Sequence, residues 1–160
     1  MTRVCLVGDE DVRLRAELLS YETARRALDT YDLLVPWANT VAIETISLGA
    51  AVSLCNDLNW YLVRLTDDAF VLEPSISEDE WLSRPLATEI RNEVTDPADT
   101  GDLLKIYGVV EPEEEEEEGG LSSLTEPMYA QRVGEEIPEY DLRPVEDTVA
   151  IRVTGDEFGG

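Results

Sequence analysis

Between residues 40 and 72 the chain reads TVAIETISLGAAVSLCNDLNWYLVRLTDDAFVL, its densest apolar stretch. A compact fold has to bury this stretch, because removing apolar surface from water is the dominant favourable term in folding. Residues 40–46 read as a strand. Thr40, Val41, Ile43, Thr45 and Ile46 are β-branched and suit a pleated surface. From Ser47 the period changes. Leu48, Ala51, Val52, Cys55 and Leu58 follow helical spacing, with Ser47 as the N-cap. Residues 60–65 (WYLVRL) read as a strand, Thr66-Asp67-Asp68 as a tight turn, and 69–72 as the second strand of a hairpin. The helix is long enough for a parallel crossover, which would be right-handed. The uncharged run 45–56 is twelve residues, short of the roughly 20 that span a bilayer, so a buried helix is expected and no membrane span.

Around this block the charge is one-sided: 36 acidic against 12 basic residues, net −24, with no histidine. A single lysine, Lys105, stands among the arginines. Such a charge repels itself in dilute salt. At 1 M salt the Debye length is only about 3 Å, and the repulsion nearly vanishes. Acidic excess with lysine almost absent resembles the proteins of archaea that fill their cytoplasm with salt; the alternative is an acidic mesophile protein with a polyacidic tail. The glutamates at 113–118 supply only six of those charges, so the acidic run does not account for the balance alone. A negative surface without a basic, aromatic-interleaved patch argues against nucleic acid as a partner. Cys5 and Cys55 lack metal-type spacing and read as buried thiols of a reducing compartment. The N-terminus carries no apolar signal segment.

In chain order, RVCLV (3–7) reads as an opening strand and residues 12–30 as one helix, with Leu14, Leu18, Tyr21, Ala24, Leu28 and Tyr31 along its face. Residues 32–39 read as a loop. Ser77 and Glu80 match a capping box, and Pro85 either breaks the helix there or opens a second one over 86–94. A short helix is expected over 102–107, ending at Gly108. Residues 111–120 form an acidic, low-complexity linker or loop. The segment 121–160 has sparse apolar periodicity and reads as poorly ordered, ending in a strand at 148–153 that could dock on the main sheet. Tyr31-Asp32-Leu33, Pro36 and Thr40-Val41-Ala42-Ile43 recur as Tyr140-Asp141-Leu142, Pro144 and Thr148-Val149-Ala150-Ile151. This is either a duplicated unit or coincidence among common residues. The reading as a whole is an α+β protein: a compact domain over 1–110, built as a two-layer mixed β-sheet with helices packed on it.

Catalytic motifs are few. Without histidine, Ser-His-Asp and Cys-His chemistry is excluded, and no phosphate-binding glycine loop is present. Asp9, Glu10 and Asp11 follow a strand and open a helix, where oxygen ligands could hold Mg²⁺; otherwise they are a helix cap with favourable dipole placement. VCLVGDED faintly resembles the first strand and acid pocket of phosphoacceptor receiver domains. The resemblance implies a phosphoacceptor aspartate and a lysine at later strand ends, and Lys105 fits neither place. Asn56, Asp57, Asn59 and Trp60 form a polar, aromatic turn that could line a ligand pocket, or simply stop the helix. Gly159-Gly160 resembles the end of ubiquitin-like modifiers.

Taken together, RVCLVGDED, TVAIETISLGAAVSLCNDLNWYLVR and EWLSR resemble a family of small haloarchaeal proteins of unknown function, over roughly residues 1–110. The resemblance implies no catalytic residue, ligand or cofactor. The leading expectation is a cytoplasmic, non-enzymatic module that binds or regulates another protein and needs no cofactor. The alternatives are a small Mg²⁺-dependent or phosphoacceptor-like domain using Asp9, Glu10 and Asp11, and a ubiquitin-like modifier.

Overall fold

The computed structural model describes residues 1–111, 121–132 and 147–159. The acidic run, the second copy of the Tyr-Asp-Leu recurrence and Gly160 lie outside the described residues. The fold is α+β, as the sequence implies. Among the described residues nine strands form one sheet: β1 (Thr2–Gly8), β2 (Leu33–Leu34), β3 (Thr40–Thr45), β4 (Thr66–Leu72), β5 (Trp81–Ser83), β6 (Leu103–Val110), β7 (Ser123–Leu124), β8 (Met128–Gln131) and β9 (Asp147–Arg152). Among the same residues six α-helices accompany them: α1 (Leu14–Ser20), α2 (Glu22–Leu28), α3 (Leu48–Asp57), α4 (Asn59–Leu65), α5 (Arg84–Arg91) and α6 (Gly155–Gly159). The strand order is β2-β3-β1-β4-β5-β9-β6-β7, with β8 also on β6. Among the described strands only β5 and β9 pair in parallel, which makes the sheet mixed.

The central block is a crossover, but not the expected one. β3 and β4 each run antiparallel to β1 and so parallel to one another on its two sides. The connection between them is helical throughout. Residues 60–65 belong to α4, not to a strand, because Leu58, Leu62 and Leu65 are buried at helical spacing while Trp60 and Val63 are exposed. The run is aromatic and β-branched enough to suggest a strand, yet its burial has the helical period. Thr66, Asp67 and Asp68 are the start of β4, not a turn, so the expected hairpin does not form.

Other expectations change for similar reasons. The helix over 12–30 is broken at Tyr21, whose extended backbone separates α1 from α2. Its ring turns onto α4, 5.8 Å from Trp60 and 5.2 Å from Tyr61. The loop at 32–39 contains β2. Residues 103–110 are a strand, not a helix: Leu104 and Ile106 are fully buried on one face, with Lys105 and Tyr107 on the other. Ser77 accepts from the N–H groups of Asp79 and Glu80 but starts no helix. Trp81 and Leu82 are drawn into the sheet instead, and α5 is capped by Ser83, with Pro85 in its first turn. The strand expected at 148–153 forms as β9.

Alternation along the strands produces two cores. Val4, Leu6, Val41, Ile43, Ala69, Val71 and Leu82 face the helices. Cys5, Phe70, Trp81, Tyr107, Val149 and Ile151 fill the other face. That second face is concave. Neighbouring strands stand about 4.8 Å apart, so β3 and β7 would be about 29 Å apart in a flat sheet. Yet the N–H of Ala38, two residues before β3, donates to the carbonyl of Ser122, beside β7, at 2.8 Å. The sheet curls until its two ends meet.

β9 holds this arrangement together. It lies between β5 and β6, and Ile151 is buried in the concave core. Glu80, just before β5, accepts from Arg152 Nε at 2.8 Å and also bonds Arg132, whose own Nε donates to the Gly101 carbonyl. Gly101 has φ +105°, and an added Cβ would meet Arg152 Nε at 3.2 Å, so only glycine fits. Burial alone would raise the Glu80 pKa; the bonds from Arg152 and Arg132 outweigh it and hold the carboxyl below its ordinary 4.5.

Two stability predictions follow from β9 and its clamp, both checked by denaturant unfolding in multimolar KCl. Ile151→Ala should cost about 2–5 kcal/mol. Glu80→Gln should cost about 2–3 kcal/mol at pH 7, since it weakens charge-assisted bonds and leaves two guanidinium groups poorly paired. Because the folded-state pKa is depressed, the wild-type advantage is present above pH 4.5 and is lost as pH falls through the folded value.

Candidate functional site

Where the curled sheet closes, a cleft of about 660 Å³ opens between the end of β1 and the strands β6 and β7. It is lined by Gly8, Asn39, Asp67, Lys105, Tyr107 and Thr125, among others. Asn39 organises its rim. Its backbone is left-handed (φ 54°), which asparagine tolerates. Its carbonyl accepts from Gly8 N–H at 2.9 Å, its Oδ1 accepts from Leu14 N–H at 2.8 Å, and its Nδ2 donates to the Asp9 carbonyl at 3.0 Å. It therefore caps α1, whose own N-cap, Arg13, makes no such bond. Gly8 is required by this close approach: a Cβ there would stand 2.6 Å from Asn39 Nδ2 and 2.8 Å from Leu14 Cβ.

The floor carries the chain's one lysine. Lys105 Nζ lies 2.8 Å from Asp68 Oδ2, and both side chains are only 16% exposed. The same oxygen accepts from Tyr107 Oη at 2.7 Å, while Asp68 Oδ1 accepts from Ala69 N–H at 2.9 Å. Asp68 is thus fully engaged. The Lys105 ammonium also sits over the rings of Tyr107 and Tyr129, 5.6 and 5.9 Å from their centroids. Burial, then the neighbouring Asp68, pushes the Tyr107 phenol up, so it stays protonated as a donor. Asp67 is exposed beside Asp9. Partial desolvation, then the charge and hydrogen bond of Asp9, raise its pKa above the ordinary 3.8, and Lys105 offsets only part of this.

The acidic trio separates. Asp9 turns inward: its N–H donates to the Leu65 carbonyl, and its Oδ1 accepts from Asp11 N–H. Glu10 lines the cleft, and Asp11 is exposed on the loop. Among the described residues, no group of three or more acidic or thiol side chains is placed to hold a metal ion. Asp9 instead joins Asp67, Asp68 and Lys105, which the sequence predicts in a turn and a helix. The usable signal was alternation in LLKIYGVV, which puts Lys105 and Tyr107 on one face of a strand. Both cysteines are buried and unpaired. Burial, as the first cause, raises their thiols to about 12 for Cys5 and about 11 for Cys55, so neither is a thiolate at neutral pH.

Asn56, Asp57, Asn59 and Trp60 occupy the joint between α3 and α4, around the buried Leu58. They do not line the cleft. Asn56 Oδ1 and the Cys55 carbonyl accept from Arg84, which ties the joint to α5. Trp60 is 51% exposed, with Arg64 stacked 3.8 Å over its ring and Tyr21 and Tyr61 against its edges. Together with the exposed Val63 they form an aromatic surface. Gly159 closes α6, whose Phe158 packs edge-on to Tyr129 at 5.9 Å.

The fold and cleft define a curled mixed-sheet α+β protein with an ion-paired floor under its sheet seam. The chain belongs to a family of unknown function, DUF5804, which it matches over residues 2–109. No curated protein and no solved structure matches it. The family region supplies the cleft from Gly8 to Tyr107; the wall at Ser123–Pro127 and the strand β9 come from beyond it.

Asp67 gives the site a pH signature. The folded chain holds its proton more tightly than the unfolded chain, so stability falls as pH rises through the folded-state value. Asp67→Asn should raise the melting temperature slightly at pH 7. The difference from wild type should close below pH 3.8, where both states carry the proton.

Proposed function

We propose that this chain is a non-enzymatic, protein-binding or regulatory module of the salt-rich cytoplasm of a haloarchaeon. The observation that carries the reading is the Tyr21, Trp60, Val63 and Arg64 surface on α4 and the α1–α2 joint. Tyrosine, tryptophan and arginine are the residues that concentrate binding energy at protein interfaces. In a chain of net charge −24, this surface offers contact area that does not depend on long-range charge. That matters in concentrated salt, which screens charge beyond a few ångströms and leaves apolar contact intact. Compartment and source rest on the acidic composition, and the protein partner on this surface.

The test uses the full chain as bait in a native haloarchaeal lysate kept in multimolar KCl, beside Trp60→Ala and Val63→Asp. One protein should co-elute in near-stoichiometric amount with wild type. Its affinity should fall about 30-fold or more, roughly 2 kcal/mol, for Trp60→Ala, with the melting temperature unchanged. Recovery of the same proteins by wild type and by correctly folded variants would refute the assignment.

A further inference from the structure

The cleft is separate from the aromatic surface and carries its own chemistry. Its volume of about 660 Å³ lies within the roughly 300–1,000 Å³ of small-molecule sites. Its charged groups come in two signs at close range. Lys105 uses one of its ammonium donors on Asp68 and, among the described residues, keeps the others. Asp68, bonded by Lys105, Tyr107 and Ala69 N–H, is spent as a ligand group. Asp67 is not: it is exposed beside Asp9 and close enough to Lys105 to feel its charge. Val7, Ala38, Leu124 and Pro127 add apolar wall.

We infer that this cleft binds a small zwitterion of the α-amino-acid class, its carboxylate accepting from Lys105 Nζ, its ammonium donating to Asp67, and its side chain against Leu124 and Pro127. A simple anion would meet Asp67, Glu10 and Glu126 around Lys105. A bare metal ion would meet the lysine ammonium, with the best-buried carboxylate, Asp68, already occupied. A dipolar ligand satisfies both signs at once. Contact-range pairs of this kind survive concentrated salt, where long-range attraction does not.

Because Lys105 is the chain's one lysine, its labelling by an amine-reactive ester, located by mass spectrometry of the full chain in multimolar KCl and divided by that of a lysine-containing reference peptide in the same tube, reports on occupancy; the ratio removes the effect of ester consumed by the probes' own amines. The probes are L-leucine, L-methionine and L-glutamine, with isopentylamine and 4-methylpentanoate as half-molecules lacking one charge. At least one amino acid should slow Lys105 labelling tenfold and raise the melting temperature, while both half-molecules leave them unchanged. Asp67→Asn, an exposed substitution whose fold is checked by its own melt, should abolish the protection. The inference fails if none of the three amino acids protects Lys105, if either half-molecule protects as well as they do, or if folded Asp67→Asn is still protected. None of these outcomes bears on the Trp60 surface.

Discussion

The architecture depends on one backbone pairing: β9 hydrogen-bonded to β5 on one side and β6 on the other. Among the described strands, β6 reaches the rest of the sheet only through β9, and β7 and β8 hang from β6 in turn. Without β9 two ladder edges would be left unpaired inside the protein, and buried backbone groups without partners are costly. The same strand delivers Val149 and Ile151 to the concave core and Arg152 to Glu80. A segment far along the chain is thus an interior member of the sheet. It sits beyond the part of the chain that the family match covers, yet that part needs it to be continuous.

The few cations of this acidic chain are placed to matter. Lys105, Arg132 and Arg152 each sit in a largely buried pair, with Asp68 or with Glu80. Such pairs are screened far less than exposed ones. An exposed pair such as Arg26–Glu22 contributes little under the same conditions. Inside, a small number of arginine and lysine contacts tie β4, β5, β6, β8 and β9 together. The cleft is a by-product of the same closure. The curl brings β6 over the start of β4, and Asp68 meets Lys105 and Tyr107 there.

The legible parts of the fold were those with strong local period. β1, β3, α3 and β9 could be read from β-branched clusters or helical spacing, and Ser47 caps α3 as its type suggests. The misread parts were short apolar runs that satisfy two periods. WYLVRL became α4 because Leu58, Leu62 and Leu65 all find the same core. Residues 103–110 became a strand because β9 was there to pair with them. Of the residues in and beside the cleft, the sequence singles out Asp9 and Glu10, with Asp11, as possible Mg²⁺ ligands, and Lys105 as the lone lysine; Asp67, Asp68, Tyr107 and Asn39 are not singled out. Their convergence spans sequence separations that no local pattern records.

By itself the sequence determined the class of fold, the acidic character and the absence of histidine chemistry, because composition and local period act within a turn or two of chain. Only the tertiary structure decided which strands are neighbours, that the sheet curls, and that the lone lysine faces Asp68 at the seam. Those outcomes depend on burying two faces of one sheet at once. That is a condition on pairs of residues tens of positions apart, and no single segment carries it.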